Sequence, residues 1–323
     1  MAEYSGYILA ILSALSWAFG TILFSLLRSY GNNYNPVFIN LYKNTIGFCI
    51  IGSILYYNNF PLFSLYSSTN SDFNNLYTIS IIVLSGIIGM GIAESLYISA
   101  ISLTNVNFVA IIGSTLSLFI FIFSVLFSFL FPEKFPLQNF PPSMFEFCGF
   151  TLIIVAIIIS SWNTNKQNNN YKGGIYALIA ISLMGLSASL TNSVVHLVRD
   201  SVLSILWFIW IRLIPGIITP LLISLSSKNI DIAKSHKMLM NNKKELLLLC
   251  SASVMFSCLA ISFWAIGMSY ESENVAIFSI LAQTSNLLIF VLGWLLLKEK
   301  IDKNKIIGIL LSFIGVILIV LSR

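Results

Sequence analysis

The chain has 323 residues, of which 57% are hydrophobic and 9% charged, and its net charge is +5. A soluble domain is about a quarter charged, so this composition excludes an ordinary water-facing fold and points to lipid as the solvent. The positive charge lies in loops, where it bears on membrane orientation; nucleic acid is not an expected partner.

Ten apolar stretches of membrane-crossing length follow one another. Span 1 (5–27) opens on "MAEYSGYILAIL", which lacks the basic leader of a signal peptide, so it is expected to be a retained span; it carries Trp17. Span 2 (35–57) carries Asn40 and Lys43, and span 3 (76–102) carries Gly86, Gly89, Gly91 and Glu94. Span 4 (106–131) carries Ser114 and Ser117 and runs into Glu133-Lys134. Span 5 (145–162) precedes the polar linker "WNTNKQNNNYKGG". Span 6 (174–196) carries Asn192 and His196, and span 7 (201–226) carries Arg212 followed by Pro215, Gly216 and Pro220. Span 8 (246–268) carries Cys250 and Cys258. Span 9 (273–297) begins beside Glu271 and Glu273, carries Gln283 and Asn286, and runs into Glu299; span 10 (304–322) closes the chain. In lipid every backbone polar group must be satisfied within the segment, so these spans are expected to be helices. Cys49, Cys148, Cys250 and Cys258 all fall inside spans, which argues against disulfides or a metal cluster, and no cofactor is expected.

The linker divides the spans five and five. Residues 97–135 align without a gap on residues 263–301, with eight of 39 positions identical. "VAI" at 109–111 falls on "VAI" at 275–277, and Glu133-Lys134 on Glu299-Lys300. "KNTIG" (43–47) likewise matches "RLIPG" (212–216), so a basic residue recurs inside spans 2 and 7. An odd number of spans per repeat turns the second repeat over, and the expected architecture is an all-α integral membrane protein of ten transmembrane helices in two inverted five-helix repeats, 1–162 and 174–323, joined by linker 163–173.

"LSWAFG" in span 1, Pro36 with Lys43 in span 2, Glu133-Lys134, and "LLLKEKIDKNKIIGILLSFIGVILI" resemble EamA-type members of the drug/metabolite transporter superfamily. The resemblance covers nearly the whole chain in two copies. It departs from the family at Lys43, where Arg is more usual, and in span 6, which lacks the Trp-Gly pair of span 1. It implies a plasma-membrane exporter of amino acids or related polar solutes, and cytoplasmic termini. The charge count implies the opposite orientation. Loops after spans 1, 3, 5, 7 and 9 hold twelve Lys and Arg, against three on the other face, which places both termini outside the cytoplasm.

Lys43, Glu94 and Arg212 lie well inside spans, where each charge costs about 2.5–3.5 kcal/mol by insertion scales. Counted from one face, Lys43 and Glu94 both lie about 12 Å deep and can pair; Arg212 lies about 16 Å from the other face. Glu94 is either a structural partner of Lys43 or a site for a proton or cationic group. Its match in the second repeat is Ala260. The candidate substrate or ion ligands are Glu94, Lys43, Arg212, Asn40, Trp17, Ser114, Asn192, Gln283 and Asn286, with interhelical bonding or packing as the alternative role of the uncharged ones. His196 reads as interfacial. Glu271 and Glu273 suit a helix N-terminus. Pro215, Gly216 and Pro220 are hinge candidates, with a bend expected just after Arg212.

These features point to a secondary transporter working by alternating access, with lipid and a small molecule as partners, protons as a candidate coupling ion, and no oligomeric state implied. A passive channel or lipid scramblase is the alternative. An intramembrane enzyme fares worse: no Walker A or Gly-x-Ser-x-Gly stretch occurs, and the aspartates lie in loops or at span ends.

Overall fold

The computed structural model describes residues 5–29, 34–60, 76–131, 143–161, 171–195, 201–227, 230–270, 275–299 and 302–321, and among them all regular structure is helical. The helices are α1 (Ser5–Ser29), α2 (Pro36–Tyr57), α3 (Leu76–Ser85), α4 (Glu94–Leu103), α5 (Val106–Gly113), α6 (Leu116–Leu130), α7 (Met144–Ser161), α8 (Tyr171–Val195), α9 (Val202–Ser226), α10 (Ile232–Asn241), α11 (Lys243–Ser253), α12 (Ile261–Tyr270), α13 (Val275–Leu297) and α14 (Lys303–Leu321). Among the described residues, seven helical stretches are long and apolar enough to cross a membrane, and shorter apolar helices accompany them. Large apolar side chains such as Ile8, Phe129 and Leu222 are exposed, as suits contact with lipid.

Three spans that look uniform in sequence are interrupted. Between α3 and α4 the backbone widens into a π-helical turn, Gly86–Ala93, and between α11 and α12 into a second, Val254–Ala260. Such turns break the α-helical ladder and strand carbonyls. In the first, Asn40 Nδ2 donates to the carbonyls of Met90 (2.8 Å) and Gly91 (3.0 Å), and Asn44 Nδ2 also donates to Met90 (3.0 Å). In the second, Ser13 Oγ donates to the carbonyl of Ala260 at 2.8 Å. The break between α5 and α6 falls at Ser114-Thr115. Their hydroxyls donate to the carbonyls of Ile111 and Ile112, both at 2.6 Å, competing with the helix ladder.

The hinge candidates sit within α9, which is helical from Val202 through Ser226. Pro220 has no N–H to give the carbonyl of Gly216 four residues earlier. Asn44 Nδ2 donates to that carbonyl at 2.9 Å instead. Pro215 packs where Gly86 presents no side chain; a Cβ there would stand 2.6 Å from both Pro215 Cγ and the Arg212 carbonyl.

The helices pack in matched pairs. α1 lies against α13 as α8 lies against α5 and α6. The first wide turn contacts α8 and α9; the second contacts α1 and α2. α2 packs on α9, α7 on α14, and α5 on α13, each pair joining corresponding positions of the two halves.

One element departs from the sequence reading. α10 lies in what reads as a loop between spans 7 and 8, because it is too short and too polar to register as a span. Its apolar side, Ile232, Met238 and Leu239, packs on the core while Lys234 and Lys237 are exposed. Asp231 caps it, accepting from Lys234 N at 2.8 Å. His236 contacts the Tyr42 hydroxyl, and Tyr34 donates to Glu245 nearby. Lys134, His196, Glu271, Glu273, Glu133, Lys300 and most of the linker lie outside the described residues.

Candidate functional site

The interior gathers around Lys43, which α2 carries to complete burial. A lysine in that position needs acceptors for three N–H donors. Nζ has three: Glu94 Oε2 at 2.5 Å, Asn44 Oδ1 at 2.6 Å and Ser257 Oγ at 3.0 Å. Glu94 begins α4 where the first wide turn ends, its own N–H bonded to the Gly89 carbonyl. Ser257 comes from the second wide turn. Both irregular turns therefore deliver side chains to one ammonium group. Among the described residues, Lys43–Glu94 is the only salt bridge.

Beside Ser257, Phe256 is 2% exposed and forms an aromatic hub. Trp17 meets its ring edge-on at 5.6 Å between centroids, Phe24 lies at 5.8 Å and Tyr97 at 6.3 Å. Lys43 Nζ stands 5.2 Å from the ring centre, in cation–π range. Phe24 also lines a cavity of about 270 Å³. Its lining includes Ile39, one turn from Lys43, and Ile98, one turn from Glu94, and extends outward to Arg28, Tyr34 and Leu103. Those outer residues lie at the ends of α1 and α4 and just before α2, the face of the lysine-rich loops.

Arg212 sits on α9, 8% exposed. Its Nη2 donates to Ser187 Oγ at 3.2 Å, and its guanidinium lies 5.6 Å from the centre of the Phe208 ring. It faces the first wide turn across Gly86 and Gly89.

The remaining sequence candidates divide. Asn40 is wholly buried, and its amide staples the wide turn and donates to Ser95 Oγ at 2.9 Å. Trp17 borders the aromatic hub. Ser114 belongs to the α5–α6 break. Asn286 packs on Gly113, where a Cβ would stand 2.7 Å from its Oδ1. Asn192 is exposed and does not join the group. Gln283 is on α13 and Ser117 on α6, with side chains outside the described residues. Sequence reading missed Asn44, Ser257, Phe256 and Ser187. Asn44 had one signal, its place next to a buried lysine; the other three have none in apolar sequence rich in Ser and Phe.

At the lysine-rich face Glu299 reaches across from the end of α13 to cap α5, accepting from Val106 N at 2.9 Å and Asn107 N at 3.2 Å. Burial holds its carboxyl above the usual carboxylate range, against the opposing pull of those two N–H donors.

Comparison with known proteins gives concordant findings. Residues 4–162 and 172–321 each match the family model described as "EamA-like transporter family". A relative from Acidianus ambivalens, described as "Uncharacterized transporter in sor 3'region", is 38% identical over 63 residues, a stretch covering 20% of this chain and 24% of that one. A solved crystal structure, of a protein given no further description, superposes with a TM-score of 0.61 at 14% identity and covers 97% of this chain and 96% of its own. At that identity the likeness shows the fold alone.

Proposed function

The chain belongs to the EamA-like transporter family, a multi-pass membrane protein, and on that premise we propose that it is a secondary active carrier of small polar solutes, amino acids or related molecules. Ten spans in two inverted halves, 1–162 and 174–323, alternately expose a central site to either side, and the direction of net movement is export from the cytoplasm across the plasma membrane. The lysine-rich face is the cytoplasmic one, following the charge count.

The observation that carries this reading is the three-way coordination of Lys43. One ammonium is held at once by Glu94 and Asn44 of the first half and Ser257 of the second. A contact of this kind spans the seam along which alternating halves would part. The wide turns on either side supply backbone that bends at low cost.

Protons are the coupling ion and Glu94 the residue that receives them. Protonation of Glu94 removes the negative charge opposite Lys43. The ammonium is then buried with only neutral partners, Asn44 and, across the seam, Ser257, and opening the seam to water relieves the uncompensated charge. The test is efflux from proteoliposomes loaded with a defined metabolite mixture under an imposed pH gradient, with departing solutes identified by mass spectrometry. Selective, saturable efflux that follows the gradient in wild type and loses that dependence in Glu94→Gln is the expected result. Efflux with unchanged pH dependence in the variant leaves Glu94 a structural partner of Lys43. Non-saturable leakage of many solutes replaces the carrier reading with a channel.

A further inference from the structure

The buried charges at the centre do not balance. Lys43 and Arg212 bring two positive charges and Glu94 one negative. Lys43 is satisfied. Arg212 is not: its Nε–H is buried and meets no acceptor. Its polar contact is through Nη2 to the Ser187 hydroxyl, whose own proton is committed to the Ser85 carbonyl at 2.8 Å. Among the described residues no carboxylate lies within salt-bridge distance of it, and Glu94 acts on it only through space. A guanidinium presents five N–H donors in a planar fork that matches a carboxylate or phosphate, and it stays charged where a lysine would surrender its proton. Such a group near the middle of a membrane, with its Nε–H unused, can take an anionic partner.

Resting on the carrier reading, we propose that Arg212 is an anion subsite and that the transported solute carries a carboxylate or phosphate-like group that docks on the Nε–Nη2 edge. Ser187 stays bound beside the guanidinium and orients it. The wall opposite is the first wide turn, at Gly86 and Gly89, and parting α9 from that turn uncovers the edge. Specificity follows: a solute whose anionic group is amidated or reduced to an alcohol leaves the guanidinium without a partner and is rejected.

The test is thermal unfolding of the full-length protein in nanodiscs. Wild type, Arg212→Met and Arg212→Lys are compared alone and with propionate, methyl phosphate, propionamide or chloride at equal concentration. Without solute, Arg212→Met unfolds at or above the wild-type temperature, because an unpartnered charge has been removed. Propionate or methyl phosphate raises the wild-type midpoint by about 2–4 °C, propionamide does not, and the rise is absent in Arg212→Met and reduced in Arg212→Lys. A lower midpoint for Arg212→Met than for wild type makes Arg212 a structural residue and overturns the proposal. So does a response that survives in Arg212→Met, that propionamide reproduces, or that is missing from wild type. A rise with chloride as large as with propionate assigns the site to an inorganic ion and removes the inference about the solute. None of these readouts involves transport. A protein that carries nothing would therefore sink the carrier reading while leaving the anion site to be judged separately.

Discussion

Lys43 and Glu94 form a pair whose members are worth little together and cost much apart. Removing one partner of a buried ion pair leaves the other charge without compensation, a loss of about 3–5 kcal/mol, whereas replacing both with apolar groups of similar size is near neutral. Lys43→Met and Glu94→Leu should therefore each destabilise the protein strongly. The double variant should recover most of the loss, as a double-mutant cycle in chemical denaturation would read directly. Lys43→Met alone has a further expected effect, since it also releases Ser257 and Asn44. The pair was the most legible part of the site, because a charge inside an apolar run stands out and helix rise fixes its depth. Ser257 and Ser187 were not legible. A serine that serves a lysine from another helix has the same local sequence context as one that bonds its own backbone, as Ser253 does with the Leu249 carbonyl at 2.6 Å.

At the scale of elements, the wide turn between α3 and α4 is held by neighbours rather than by its own ladder. Its glycines allow those neighbours in. An alanine Cβ at Gly86 would stand 2.6 Å from the Arg212 carbonyl, a backbone atom that cannot swing aside. At Gly174 the nearest atom is Phe108 Cε1, 3.0 Å away on the edge of the ring. Gly86→Ala should thus cost about 1–3 kcal/mol, the usual range for overpacking, and Gly174→Ala less, in the same unfolding assay. Equal effects would mean that α9 yields at Arg212 as readily as a side chain does. That the apolar segments are helices could be read from hydropathy, because lipid demands that backbone groups pair within each segment, whereas among the described residues seven rather than ten are long and apolar enough to cross a membrane. The wide turns could not. A π turn and an α turn use the same residues, and the groups that take up the freed carbonyls, the amides of Asn40 and Asn44 at the first turn and the Ser13 hydroxyl at the second, come from different helices. α10 escaped for the opposite reason, since its pattern becomes meaningful only once the core supplies a surface for Leu239.

At the scale of the molecule, the lysine-rich face is tied together by Glu299, which links the end of α13 to the start of α5. Its carboxyl is raised by burial, so ionisation is less favourable in the folded protein than in the unfolded chain. The sign follows from linkage: the stabilising contribution is complete below the unfolded value of about 4.3 and is lost as pH rises through the higher folded value. The stability difference between wild type and Glu299→Gln should accordingly shift toward wild type as pH falls through that window, measured by unfolding midpoints at a series of pH values. A difference independent of pH would mean that the two backbone donors offset burial completely. The repeat was visible at this scale from the aligned "VAI" segments and the recurring basic residue, and the matched packing of helices follows the same correspondence.

The two wide turns occupy corresponding places in a chain that repeats itself, yet only one of them hands over an acid. Glu94 follows the first; the second ends at Ala260. The backbone irregularity is common to both copies, and the side chains that follow it differ. Unlike copies in one polypeptide leave the acid and its lysine in the first half and only a serine, Ser257, to meet them from the second, a division of labour that identical copies would not have.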